Sequence, residues 1–241
     1  MNVPDQSKSQ NDLNAVFAKI QEIAAKSDDG DYIYRGEPKH YRKVSSSLWR
    51  ECSKTLGTEQ FGIQTIQNQM LEVVKSYTRY TPETEDFEIL TELQHYGGQT
   101  NLIDFTTDFL ISLFFACDGS HKTRGRVILF QKTEEKTKTY GIEEPRNPQT
   151  RVMAQKSIFV QPPRGFIEPE KYKTITITKS LKQPMLDYLR KNHGISTRTI
   201  YNDLHGFIRN QSIHQETYMA LYKGATQPRE DDSGFDQMGS H

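Results

Sequence analysis

The sequence predicts an α+β fold, a single domain in which a mainly antiparallel or split sheet packs against several helices. Three observations carry this. Runs rich in β-branched and aromatic residues lie near 31–36, 125–131, 157–161 and 173–178, and segments with helical apolar spacing lie mostly in the first half. The two kinds of segment do not alternate regularly enough for a doubly wound parallel sheet.

The elements follow in order. Leu13, Val16, Phe17, Ile20, Ile23 and Ala24 recur at helical spacing, so residues 11–26 form an amphipathic helix that ends near Ser-Asp-Asp-Gly. The strand Tyr32-Ile33-Tyr34 then runs straight into Arg35 and Gly36, followed by a polar cluster from Pro38 to Arg42. Phe61, Ile63, Ile66, Met70, Leu71, Val74 and Tyr77 share one helical face, and a further helix over 85–96 is stopped by Gly97 and Gly98. Leu102 and Ile103 suggest a short buried segment. Thr106 or Thr107 then caps an apolar helix over 108–117, the most hydrophobic stretch of the chain. A helix apolar nearly all round belongs at the centre of a core. After the strands, residues 180–194 read as a helix with Ser180 as N-cap and Gly194 as stop, and 201–211 as a last short one. The polar stretch between the strands at 125–131 and 157–161 reads as a surface loop or lid.

Residues 1–10 read as a flexible start, 11–210 as the domain and 211–241 as an extension, disordered toward its end. The chain carries 31 basic and 31 acidic side chains, which removes long-range attraction as an argument for general nucleic-acid binding and leaves local basic patches open. Cys52 and Cys117 form neither a CxxC pair nor a disulfide framework and suit a reducing compartment. The first ten residues lack the regions of a signal peptide, and no apolar run approaches the roughly 20 residues of a membrane span. The expected setting is cytoplasmic, with no membrane partner.

Polar residues concentrate in residues 90–108. Gln94, His95 and Tyr96 close a helix, two glycines turn the chain, and Thr100, Asp104, Thr106 and Thr107 precede the central helix. Few polar groups on an apolar wall are how a ligand pocket is built. The structural alternative is that Gln94 and His95 satisfy the last helix carbonyls, Thr106 is an N-cap, and Asp104 pairs with an arginine. His95 with Asp104 also offers a general acid or base. No metal is expected, since His40, His95 and Asp104 stand at no recognised ligand spacing. The Gly-Gly-Gln-Thr turn lacks the lysine and spacing of a P-loop.

In this order, "YRG", "VSSSLWRE", "LQHYGGQTNLIDFTTDFLISLFFAC", "GRVILF", "TRVMAQKSIFV" and "ISTRTIYNDLHGFI" resemble the FRG domain, named for its aromatic-Arg-Gly motif, over roughly residues 31–210. Asn101 stands where that family usually has arginine. At the level of motif order the chain is also similar to ADP-ribosyltransferases that use NAD. That resemblance implies NAD as substrate and a protein or nucleic acid as target, and it leaves a role as a toxin or defence effector open. It implies Arg35 holding the pyrophosphate or nicotinamide ribose, Asp104 and Thr106 supporting it, Tyr96 stacking on nicotinamide, and Gln155 bonding a ribose hydroxyl. Glutamine orients but cannot act as a base. A non-catalytic module that binds a protein or nucleic-acid partner is the competing reading.

Overall fold

A computed structural model describes residues 6–77, 80–81, 83–146 and 150–209, with Met219 and Tyr222. The chain divides into two compact units, Met1–Asn202 and Asp203–His241. The expected disordered extension lies outside the described residues apart from Met219 and Tyr222.

In the first unit the elements run α1 (Gln6–Lys26), β1 (Tyr32–Glu37), β2 (Val44–Ser45), α2 (Ser47–Leu56), α3 (Ile63–Tyr77), α4 (Asp86–His95), β3 (Ile103–Thr106), α5 (Phe109–Cys117), β4 (Gly125–Gln131), α6 (Glu134–Tyr140), β5 (Ile142–Glu143), α7 (Thr150–Ala154), β6 (Ser157–Val160), β7 (Phe166–Ile167), β8 (Lys173–Ile177), α8 (Lys179–His193) and α9 (Thr197–Ile200). The second unit holds α10 (Leu204–Arg209), where the Gly206 N–H donates to the Asp203 carboxylate. Six strands form one sheet in the order β5-β6-β3-β1-β4-β8, every pair antiparallel, and β2 pairs with β7 in a separate ribbon. This is the expected α+β class.

Alternation along the strands gives the sheet two apolar faces. Tyr32, Tyr34, Val127, Leu129, Ile175 and Ile177 meet α1, α5 and α8 on one side. Ile33, Ile128, Phe130, Ile103, Phe105 and Ile158 face the other, where Val44 and Ile167 of the ribbon and Tyr140 cover them. The central helix is α5, as its composition requires, and Ile111, Leu113, Phe114, Ala116 and Cys117 are buried. Burial pushes the Cys117 thiol up to about 12, leaving it an inert packing residue.

α5 lies hard against the sheet. A Cβ on Gly36 would stand 1.9 Å from the Ser112 carbonyl oxygen, and one on Gly125 would stand 2.0 Å from that of Ala116. The glycine of the aromatic-Arg-Gly motif is therefore a contact residue for the central helix, unrelated to any turn.

Several expectations need correction. The cap of α5 is Asp108, whose carboxylate accepts from Leu110 N at 2.9 Å, because Thr106 is still in β3, paired with Tyr34 and Ser157. Thr106 Oγ1 instead accepts from Asp108 N. Helix α8 starts after Thr178, ahead of Ser180, and Gly194 ends it at φ 66° as expected. The polar stretch expected to be a loop or lid holds α6, capped by Thr133, and the edge strand β5, and it buries Tyr140; residues 147–149 lie outside the described residues.

Lys182 is fully buried on α8 and donates to the carbonyls of Pro38 and Ser120, both at 2.6 Å. It ties α8 to the segment that leaves β1, and burial pushes its pKa below the ordinary value. Lys182→Met should lower stability by about 2 kcal/mol in urea unfolding, because Thr123 Oγ1 still reaches Pro38 O and only part of the acceptor capacity is orphaned.

Candidate functional site

Arg35 sits where the sheet comes apart. Among the described residues β1 and β3 are paired at one position, Tyr34↔Thr106. The Asp104 carbonyl that the ladder leaves open is taken by Arg35 Nη1 at 2.8 Å, and Arg35 Nε donates to Glu37 at 3.1 Å. Glu37 in turn lies 2.7 Å from Arg126 Nη2 and accepts from its Nε at 2.8 Å. Glu37 and Arg126 are buried, and the Arg35 side chain is 22% exposed. Arg35 is thus the outer member of a guanidinium–carboxylate–guanidinium row and still faces solvent.

The solvent it faces is a depression of about 180 Å³. Arg35, Arg50, Ser45, Ser47, Gln94 and Asp104 supply its polar wall, and Gly98, Leu102 and Ile103 its remainder. Arg50 comes from the first turns of α2 and is held by a bond from its Nη1 to Ser45 O. Desolvation, then the Arg35 charge, push its pKa below the ordinary value, while Tyr41, Glu37 and Asp104 oppose them. It stays a cation. Three guanidiniums, those of Arg35, Arg50 and Arg126, stand against the carboxylates of Glu37 and Asp104, so the site has a surplus of positive charge.

A hydrogen-bonded rim holds this wall. Gln94 Nε2 donates to Asp104 Oδ1 at 2.8 Å, and the Thr100 hydroxyl donates to Gln94 Oε1. Thr100 N donates to Ser47 Oγ at 3.1 Å, and Thr100 O accepts from Leu48 N at 3.1 Å. The Gln94 side chain is available for this because backbone bonds from Tyr96 N, Gly97 N and Gly98 N satisfy the end of α4. Asp104 gives its carbonyl, not its carboxylate, to the arginine. Asn101 is fully buried, its backbone N–H donating to Gln67 Oε1 at 3.2 Å and its side-chain amide Nδ2 to Pro162 O at 3.0 Å. It acts as a structural bracket beneath the rim.

The fold therefore brings Arg35, Gln94, Thr100 and Asp104 together. It does not bring the other expected residues to the depression. His95 lines a larger cavity of about 480 Å³ beside Glu83, Glu85, Glu88, Glu92 and Arg146, since consecutive helix residues face different sides. Tyr96 is 66% exposed and packs edge-on against His95. Thr107 lies beside Lys156, and its N–H donates to Lys156 O at 3.1 Å. Gln155 donates to Ile200 O at 3.1 Å, tying α7 to α9. Thr106 is buried in the sheet, paired with Tyr34, and does not line the depression.

Arg50, Ser45 and Ser47 were not singled out by sequence reasoning, though all fall within "VSSSLWRE". The signal was a run of three serines that holds a helix cap, with an arginine one turn later; Ser46, the middle serine, is that cap, accepting from Trp49 N at 3.2 Å.

Among the described residues no three His, Cys, Asp or Glu side chains converge as a metal site, and no helix is long and apolar enough to cross a membrane. No curated protein and no solved structure matches the chain. All the residues lining the depression fall within one stretch: residues 30–125 match the family model of the FRG domain, which supports the FRG family for this part of the chain.

Proposed function

We propose that the depression binds the phosphate or pyrophosphate of a nucleotide, with NAD as the first candidate. The observation that carries this reading is the convergence of Arg35 and Arg50 on one small polar hollow. Planar guanidinium forks match phosphate oxygens in pairs, and the row through Glu37 fixes Arg35 before any ligand arrives. At about 180 Å³ the hollow is smaller than the roughly 300–1000 Å³ of sites that engulf a whole ligand. It takes the charged part of a nucleotide, and the rest lies along the surface.

Transfer of ADP-ribose from NAD to a protein or nucleic-acid target is the enzymatic extension of this reading. It asks for positioning and stabilisation of charge more than for proton movement. Asp104, oriented by Gln94, is the group at the hollow suited to a ribose hydroxyl, in place of Gln155, whose amide is used between α7 and α9. A non-catalytic partner-binding module is favoured by a separate observation: two of Arg35's donors already serve the fold.

Thermal unfolding with NAD separates these. At about 100 times its dissociation constant, NAD should stabilise the protein by about 2.7 kcal/mol and raise Tm by roughly 5–10 °C. At the same NAD concentration Arg50→Ala should cut that rise by about half or more while costing the free protein only about 1 kcal/mol, since it gives up one hydrogen bond. No rise with NAD, ADP-ribose or pyrophosphate excludes the nucleotide reading.

A further inference from the structure

The segment between β1 and β2 leads covalently into Ser45 at the edge of the hollow, and it is basic and aromatic. Lys39 Nζ lies 5.0 Å from the centre of the Tyr41 ring, and Tyr41 is 41% exposed. The Arg42 side chain is 76% exposed and shares Glu59 with Lys43. Across the ribbon, the Arg164 side chain is 69% exposed, and its guanidinium and the Lys43 ammonium lie 5.0 and 3.9 Å from the centre of the same ring, that of Phe166. Arg42 and Lys43 pair with Glu59 and Arg164 with Glu168, so among the described residues two carboxylates are paired with this cluster of four cations. Desolvation and the charges of Arg42 and Arg164 push the Lys43 pKa down, so the cluster is assembled against its own repulsion.

We propose that this ridge docks a single-stranded nucleic acid, with Lys39, Arg42, Lys43 and Arg164 on successive phosphates and a base stacked on Tyr41, alongside the Arg35/Arg50 hollow. This rests on the reading of the hollow as a phosphate site and names the class of partner that would lie next to it. A strand fits the surface because each nucleotide brings one phosphate and one stacking face, which is what spaced cations and an exposed phenol ring engage. The even charge of the whole chain does not oppose this, because screening confines the attraction to the ridge.

Fluorescence anisotropy of labelled single-stranded RNA and DNA of about 20 nucleotides tests it, across a series of salt concentrations with the full chain. Combined Lys39→Ala, Arg42→Ala and Arg164→Ala should weaken binding at least tenfold and reduce the slope of log affinity against log salt by about 0.7 for each phosphate no longer neutralised. Tyr41→Ala should weaken binding without changing that slope. The substituted cations are exposed, so Tm should be little changed. Equal affinity of the triple variant and the unsubstituted protein overturns the proposal. So does a lack of oligonucleotide binding by a protein that NAD still stabilises, which leaves the nucleotide hollow standing. Ridge-dependent oligonucleotide binding with no NAD response supports the ridge and excludes the dinucleotide.

Discussion

Gly36→Ala should destabilise the protein by about 4 kcal/mol or more, measured by urea unfolding, or leave it unable to fold. The added methyl would sit 1.9 Å from Ser112 O and 2.6 Å from Ala116 N, both backbone atoms of α5, and no rotamer change can relieve a clash with backbone. α5 would have to move off the sheet, and its packing against Tyr34, Val127 and Leu129 would go with it. Ordinary overpacking costs about 1–3 kcal/mol, and values above that range arise when a central element cannot give way. A variant within 1 kcal/mol of the parent would contradict the packing described for α5.

Glu37→Ala should cost about 3–5 kcal/mol in the same measurement. The carboxylate is buried between Arg35 and Arg126, and its removal leaves the Arg126 charge without its counter-charge in the interior. Glu37→Gln keeps the shape and one acceptor and should cost less. The combined Glu37→Ala and Arg126→Met variant should recover part of the loss, because the second change removes the orphaned charge. Each variant should also loosen Arg35, so under the proposed nucleotide reading NAD affinity should fall along with stability.

These two residues directly follow Arg35 and show what the sequence made legible. The apolar strand, the arginine at its end and the polar group before α5 were visible, and they do meet, through Arg35 Nη1 and Asp104 O. The six-stranded order was not visible. β3 is four residues long and carries Asp104 and Thr106 among its apolar positions, so it lacks the run of β-branched residues that marks β4 or β8. β5 and α6 were hidden in a charged stretch, although Thr133 followed by Glu134 and Glu135 is a helix start. An exposed edge and a short capped helix bury little, so their apolar pattern is weak.

The site was half legible for a related reason. Gln94 and Thr100 were legible because they cluster in sequence with Asp104. Arg50 was not, because an arginine in a helix ordinarily points to water, and only the tertiary approach of α2 to β1 makes it a partner of Arg35. His95 and Tyr96 follow Gln94 directly, yet a step of one residue on a helix end turns a side chain away from its neighbour. Gln155 stands near β6, but its amide is used within the fold.

Isothermal titration of NAD into the parent protein and into Arg50→Ala isolates the hollow's part in binding, because Arg50 contributes to the hollow while giving the fold one hydrogen bond. Binding to the parent should be saturable, weaken by at least tenfold in the variant and fall as salt is raised. Unchanged affinity in a folded Arg50→Ala protein, or no binding of NAD, ADP-ribose or pyrophosphate to the parent, would contradict the nucleotide reading of the hollow.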